Sequence, residues 1–572
     1  MRRTLTSLCP PSSLCPLWCA FRFSIPQFRT PAIPQFLIVL LFSLTCFSAG
    51  RPTPPAAEFR ALWVDGFHAG IWTPEQADQL VAAAKAAHIN TLIIQVRRRA
   101  DALYLKSFEP FVEDVPQIPG FDPLANIIDV AHRNGIEVHA WINAAPVWRD
   151  QAPPRDPHHV FNLHGPSAAG DDMWLTSNRA GNVKFPVGYF LDIGNPAAAD
   201  YIARVYLNVV RNYNVDGIHF DYIRYPETDG QPLPRGSDVG YNPTSVARFR
   251  RAYHRADTPA PDDQQFIEWR RAQVTALVRH VYLEAKAIKP RIKITAAVIS
   301  WGKPPAANTE QDFENVSPMQ RIFQNWHGWL REGILDVAVP MNYNTESRPQ
   351  VRDWFNGWID FEKRHQHGRQ IAPGLGAYLN SQDEVLAQIS RVRQPSHGQR
   401  VPGLSLYSYG GLYKRPARVE AGDSPAGVAR TPSSASGGPG APSSAGVAVG
   451  GQSPRSGEVP QSRNDMSFLG TPYGTSASIP PLPWIDAPTR GMLSGTWKRP
   501  DGSPVDGGAV TIHRTGFAGI FSSAQHLTTD GNGNFGAANL KPGTYRIQTS
   551  DHGKTSIVTV TRGSVAQAAV SE

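Results

Sequence analysis

Residues 215–226 read VDGIHFDYIRYP. Strand alternation within GIHFD puts His219 and Asp221 on one face, with Asp221 closing the apolar run and Arg224 three residues on. A carboxyl group that ends a buried strand beside a cation suits general acid or base chemistry, hydrolysis of a glycosidic bond being one reaction of that kind. That reaction uses two carboxyl groups: one protonates the leaving oxygen, and the other attacks the anomeric carbon or activates a water. Asp221 is the first candidate, as nucleophile or base. For the second carboxylate, Asp192 in FLDIGNP and Glu346 in MNYNTE rank level, ahead of Asp65 and Glu227. Asp65 reads by preference as a binding or orienting acid.

Other polar and aromatic residues fall where apolar runs end: Arg97, Trp141, Asn143, Ser300, Trp301, Asn342, Tyr343, Tyr378, Tyr407 and Tyr409. Rings with a polar handle are a natural lining for a carbohydrate cleft. The expected substrate-binding set is Asp65, Arg97, Trp141, Asn143, His219, Arg224, Asn342, Tyr343 and Tyr378. Each has a plainer counterpart. Arg97 or Arg224 would serve as a buried ion pair, His219 as a satisfied core imidazole, and Trp141 and Tyr343 as core aromatics. His158, His159 and His164 lack a matching carboxylate spacing, so no metal and no cofactor is expected. There is no phosphate-binding Gly-rich loop and no Gly-x-Ser-x-Gly elbow.

These residues need a scaffold that brings strand ends together. Apolar strand-like runs at 59–66, 91–97, 137–143, 216–221, 292–298, 335–341, 371–377 and 403–408 alternate with amphipathic stretches at 74–88, 122–134, 196–213, 266–289, 318–332, 348–364 and 381–393. Alternating β and α implies parallel strands with right-handed crossovers. Eight repeats predict an α/β fold, a closed (β/α)8 TIM barrel over residues 58–415, whose active site lies at the C-terminal strand ends. The long insertion 144–192 reads as a functional loop or a subdomain. Residues 416–489 turn to Pro, Gly and Ser and read as a disordered linker. Residues 490–572 return to short alternating runs with turns at Asp501-Gly502, Asp530-Gly531 and Pro542-Gly543, the pattern of a small all-β sandwich. The start of a calcium loop in DGNGN lacks its Gly and its Glu, so a hairpin turn is expected there.

Composition narrows the class. The 572 residues are 41% apolar and 18% charged, too apolar for a disordered chain and too polar for a multi-span membrane protein. All four cysteines (Cys9, Cys15, Cys19 and Cys46) lie in the first fifty residues, which removes thiol catalysis and disulfide scaffolding from the body. Residues 1–50 also carry four arginines, no acid, and the apolar run FLIVLLFSL before small residues. This reads as a signal peptide, hence an exported protein, periplasmic or extracellular, with no stable membrane span after its removal. The net charge of +8 falls to about +4 without it, spread among acids, so no nucleic-acid partner is expected.

The segments EFRALWVDGF, NTLIIQVRRRADALY, GIEVHAWINA, FLDIGNPAAADYI, VDGIHFDYIRYP, ILDVAVPMNYN and IAPGLGAYL resemble the glycosyl-hydrolase-like family 10 proteins. The resemblance implies a (β/α)8 barrel, export in a bacterium and hydrolysis of a glycan, with peptidoglycan glycan strands among the substrates. Many such proteins carry two adjacent acids after the fourth strand. Here the second is Tyr222, which leaves Asp221 alone. The C-terminal stretches TTDGNGNF and LKPGTYRI resemble carboxypeptidase-regulatory-like domains. The expected function is therefore an exported glycoside hydrolase with a polysaccharide substrate. The alternative is a non-catalytic glycan-binding barrel.

Overall fold

The computed structural model describes residues 57–228, 235–412, 466–516, 524–550 and 555–571. Eight parallel strands close on themselves: β1 (Phe59–Val64), β2 (Thr91–Arg97), β3 (Glu137–Asn143), β4 (Gly217–Asp221), β5 (Lys293–Val298), β6 (Val337–Asn342), β7 (Gln370–Ile371 and Gly374–Gly376) and β8 (Gly403–Tyr407). β8 pairs with β1, and β5 with β6, so no edge is left open. β7 is split because Pro373 has no N–H to give the ladder, while its carbonyl still accepts from Ser405.

The helices start where the sequence provides caps. In α1 (Pro74–Ala86) the Thr73 hydroxyl accepts from the Gln76 N–H, with Pro74 in the first turn. Asp122 caps α2 (Pro123–Arg133), and Asn195 caps α3 (Pro196–Asn212). α4 (Gln264–Ile288), α5 (Trp326–Glu332), α6 (Pro349–Arg364) and α7 (Gln382–Arg393) complete the outer ring. The single helix expected at 318–332 is instead two, Ser317–Arg321 and Trp326–Glu332, separated by Phe323 in a left-handed conformation at φ 58°. The insertion after β3 folds into a subdomain with its own antiparallel strands, Pro146–Trp148, Lys184–Phe185 and Gly188–Phe190.

The barrel interior holds Ala61, Trp63, Ile93, Trp141, Ala297, Val337 and Val339, and the same cluster includes Leu482 and Ile485. Those two come from residues 466–490, inside the stretch expected to be linker. The segment is ordered and runs as a strap across the N-terminal ends of the strands. The Ser478 carbonyl accepts from the Glu58 N–H at 2.9 Å, Ala477 from Asn90 at 3.2 Å, and Pro481 from Gln370 at 3.1 Å. The Trp484 indole donates to Asp336 at 2.7 Å. Proline removes backbone donors, so this segment anchors through carbonyls and a few apolar plugs rather than through a ladder.

Beyond the strap, two sheets of three and four strands share one core around Leu493, Trp497, Val510, Phe535 and Ile547. They pack against the barrel's helices. Arg248 makes a two-point contact with Asp506 at 2.6 and 2.8 Å, Ser494 donates to Glu284 at 2.7 Å, and Asn532 donates to the Pro196 carbonyl at 2.9 Å. Gly536 lies against Leu283 of α4, where any Cβ would collide. Asp530 accepts from the backbone of Asn532 and Asn534 and so closes its turn. Among the described residues, no helix is long and apolar enough to cross a membrane.

Candidate functional site

Asp221 is the last residue of β4, level with Asn143 of β3, and is 5% exposed. Its Oδ1 accepts from the Tyr222 N–H at 2.6 Å and its Oδ2 from the Trp141 indole at 3.0 Å. Burial pushes its carboxyl up to about 6, against the lowering effect of those donors and of the nearby Arg224 guanidinium. The same indole N–H is shared with Asn143 Oδ1 at 3.0 Å. Asn143 Oδ1 also accepts from Gln95, and its amide nitrogen donates to the Arg98 carbonyl. Trp141 and Asn143 therefore orient Asp221.

Tyr222 follows in the left-handed region at φ 47°, a strained position for a bulky side chain. That turn lays its ring under Arg224, whose guanidinium lies 4.7 Å from the Tyr222 ring and 5.4 Å from Trp301. Arg224 is 4% exposed, yet its contacts are long: 3.3 Å to Glu227 and 3.4 Å to the Tyr225 carbonyl. Its Nε makes no hydrogen bond among the described residues. Five donors with two weak acceptors leave capacity for a ligand oxygen.

Asp65, just past β1, is a further acid at the strand ends, in addition to the Glu227 that meets Arg224. Its Oδ1 accepts from the Phe67 N–H at 3.1 Å and pairs with His68 Nδ1 at 2.6 Å. Its Oδ2 accepts from Ser408, beyond β8, at 3.3 Å. The hydrogen bond to Asp65 raises the His68 imidazole above its usual value. Tyr407, at the end of β8, packs edge-on to Trp63 and Trp141, and its hydroxyl is pushed up by burial and then by nearby Asp65, Tyr222 and Asp221. Tyr343 packs 5.1 Å from Tyr407, and Tyr378 lies within 6.1 Å of both rings. All three tyrosines are partly exposed, above the fully buried Trp63.

The remaining expected residues lie elsewhere. Asp192 has no exposure. It accepts from Gly194, Ser245 and Tyr225, and burial raises its carboxyl. Glu346 is turned to the helical ring, where Gln388 and Arg391 of α7 hold it at 2.8 and 2.5 Å. Arg97 is sealed in a two-point ion pair with Glu109 at 2.7 and 2.8 Å and also donates to the Asn143 carbonyl. His219 sits one layer below Asp221, fully buried. Trp63 donates to its Nε2 at 3.1 Å, so its Nδ1 carries the proton towards Thr295 at 2.8 Å. Asn342 is fully buried between Ser300 and Glu362. Arg97, His219 and Asn342 have their polar atoms committed to these partners, while Asp192 Oδ2 makes no hydrogen bond among the described residues but is fully buried.

Residues 58–354 match the family described as glycosyl hydrolase-like 10, more than half of the chain. The chain belongs to that family. The barrel and its rim acids are thus a glycosyl hydrolase-like 10 barrel and its strand-end residues. The chain is 24% identical over 392 residues to Glycosyl hydrolase YngK of Bacillus subtilis (strain 168), covering 64% of this chain and 70% of that protein. It is 26% identical over 373 residues to Glycosyl hydrolase DigH of Escherichia coli (strain K12), covering 57% and 77%. Among solved structures, the PgaB (BpsB) glycoside hydrolase domain from Bordetella bronchiseptica matches with a TM-score of 0.45 at 13% identity, over 62% of this chain and 95% of that one.

Two features of this glycosyl hydrolase-like 10 rim escaped the sequence reading. His68 is signalled only by the short Asp-x-x-His spacing in DGFH. Tyr407 was noted as a strand-end aromatic, but its packing against Trp63 and Trp141 depends on β8 closing against β1.

Proposed function

We propose that this chain hydrolyses glycosidic bonds of a polysaccharide at the C-terminal rim of its barrel, with Asp221 as general acid and Asp65 as the second carboxylate. The observation that carries this reading is a pair of buried acids at the strand ends, Asp221 held by the Tyr222 N–H and the Trp141 indole, and Asp65 by Phe67, His68 and Ser408. Cleavage of a glycosidic bond uses two such carboxyl groups, one to protonate the leaving oxygen and one to attack or to activate water. The Asp221 proton passes to the glycosidic oxygen as its bond to the anomeric carbon breaks. The Asp65 carboxylate attacks that carbon, or takes a proton from the water that does. Tyr343, Tyr378 and Tyr407 offer ring faces to the sugar, and Arg224 offers unused donors to its oxygens.

The test is release of reducing ends from a panel of polysaccharides, denuded peptidoglycan among them, by the wild type, Asp221→Asn and Asp65→Asn. Each variant should lose about 10²–10⁴-fold in turnover. Turnover unchanged in Asp221→Asn removes that residue from the mechanism. Tyr222, standing where a second adjacent acid would be, favours the second reading, a barrel that binds glycan without cleaving it. Retention of polysaccharide with no product on any member of the panel would select it. The basic and apolar first fifty residues support export, to be checked by the N-terminal sequence of the protein recovered outside the cytoplasm.

A further inference from the structure

Away from the rim, three separate stretches of chain converge on the barrel's flank. Glu310 comes from the long connection after β5, His327 from the first turn of α5, and His365 and His367 from the turn between α6 and β7. Each offers one ligand atom, and these atoms all lie within 4.8 Å of one another. The Nε2 atoms of His327 and His367 stand 2.6 Å apart, and Glu310 Oε1 lies 3.7 Å from His367 Nε2. Two ring nitrogens that close hold at most one proton between them.

The outer contacts of the group orient its ligand atoms. His365 Nε2 donates to the Asn308 carbonyl at 3.0 Å, which leaves Nδ1 as its other ring nitrogen. Arg331 takes Glu310 Oε2 at 2.9 Å and leaves Oε1. A carbonyl behind an imidazole and a donor behind a carboxylate are the usual outer partners of metal ligands. Aromatic rings wedge the imidazoles in place: Phe361 stacks 4.2 Å from His365, and Phe313 lies 5.0 Å from His327.

We propose that Glu310, His327, His365 and His367 form a closed zinc site that ties the β5–α5 connection to the start of β7. Three imidazoles and one carboxylate, with no thiolate, match Zn²⁺ better than Ca²⁺ or Mg²⁺, which take oxygen ligands. Bonds of about 2.0–2.2 Å in a tetrahedron set ligand atoms about 3.3–3.6 Å apart. The observed spread brackets that spacing, so side-chain rotations of about an ångström complete the shell. Four protein ligands leave no open position, which makes the site structural. It is independent of the rim chemistry.

The test uses the full chain, stripped with EDTA and titrated with zinc chloride. One equivalent of zinc should survive gel filtration, and Tm should rise by several degrees over the stripped protein. Calcium chloride and magnesium chloride should leave Tm unchanged. The double variant His365→Asn/His367→Gln, and separately Glu310→Gln at its half-exposed position, should match the stripped wild type in circular dichroism and Tm. The double variant should bind zinc at least 100-fold more weakly in competition with a chromophoric chelator. Wild-type protein that retains no zinc, or variants that retain it equally, would overturn the proposal. Retention of copper or nickel without zinc would overturn the choice of metal.

Discussion

At Asp221, two hydrogen bonds and a neighbouring guanidinium act against burial, and burial prevails, leaving the carboxyl at about 6. Two consequences follow at this residue. As general acid it works only while protonated, so activity should decline as pH rises through about 6, and Asp221→Asn should abolish that limb of the profile along with most of the rate. The second concerns stability. A carboxyl whose folded value is raised binds its proton more tightly when folded, so it stabilises the fold at low pH. That contribution is lost as pH rises from about 4 through about 6. Asp221→Asn should therefore raise Tm at pH 8 while lowering turnover, checked by thermal melts of both proteins. A catalytic acid held away from its ordinary state is a common source of such a trade. Beside it, Tyr378→Ala should raise KM about tenfold and change kcat little, since a stacking face serves bound substrate and transition state alike.

At the scale of elements, helix α6 carries a buried acid into the barrel wall. Glu362 has no exposure, takes the Asn342 amide on both oxygens at 3.0 Å, and is pushed up to about 8 by burial. Stability from its neutral form is complete below the ordinary carboxylate value of 4.5 and is lost as pH rises through about 8. Glu362→Gln should flatten that slope, by on the order of a few kcal/mol between pH 5 and pH 9 in urea titrations. Strands and helices of this kind were legible because alternation, caps and prolines act within a few residues of one another. The same rules do not report depth. Alternation put His219 and Asp221 on one inward face, but it could not say that His219 lies a layer lower, beneath Trp63. Nor does any spacing rule pair Arg97 with Glu109, twelve residues on in a loop. The metal-ligating group is dispersed for the same reason: only His365 and His367 are close in sequence.

For the whole molecule, the boundary between barrel and C-terminal sheets differs from the compositional one. Pro-rich sequence disguised the strap, because SIPPLPWID has no period yet delivers Leu482 and Ile485 into the barrel's interior cluster. Leu482 is 2% exposed, so Leu482→Ala should cost about 2–5 kcal/mol in a urea titration, although it lies far beyond the last barrel strand. The C-terminal sheets lean on the barrel through the Arg248–Asp506 pair. Removing Asp506 leaves a nearly buried guanidinium without its carboxylate. Asp506→Ala should split the calorimetric transition and speed proteolytic release of the C-terminal sheets.

The strap bears on how this protein is made. Translation delivers the eighth strand to the ribosome exit before residues 466–490, so a nascent cylinder emerges with an open underside and greasy side chains near Phe59 uncovered. Only later synthesis supplies the stopper. Chaperone occupancy should accordingly fall when Leu482 and Ile485 clear the tunnel, and a message truncated at the notional barrel end should yield a product that aggregates.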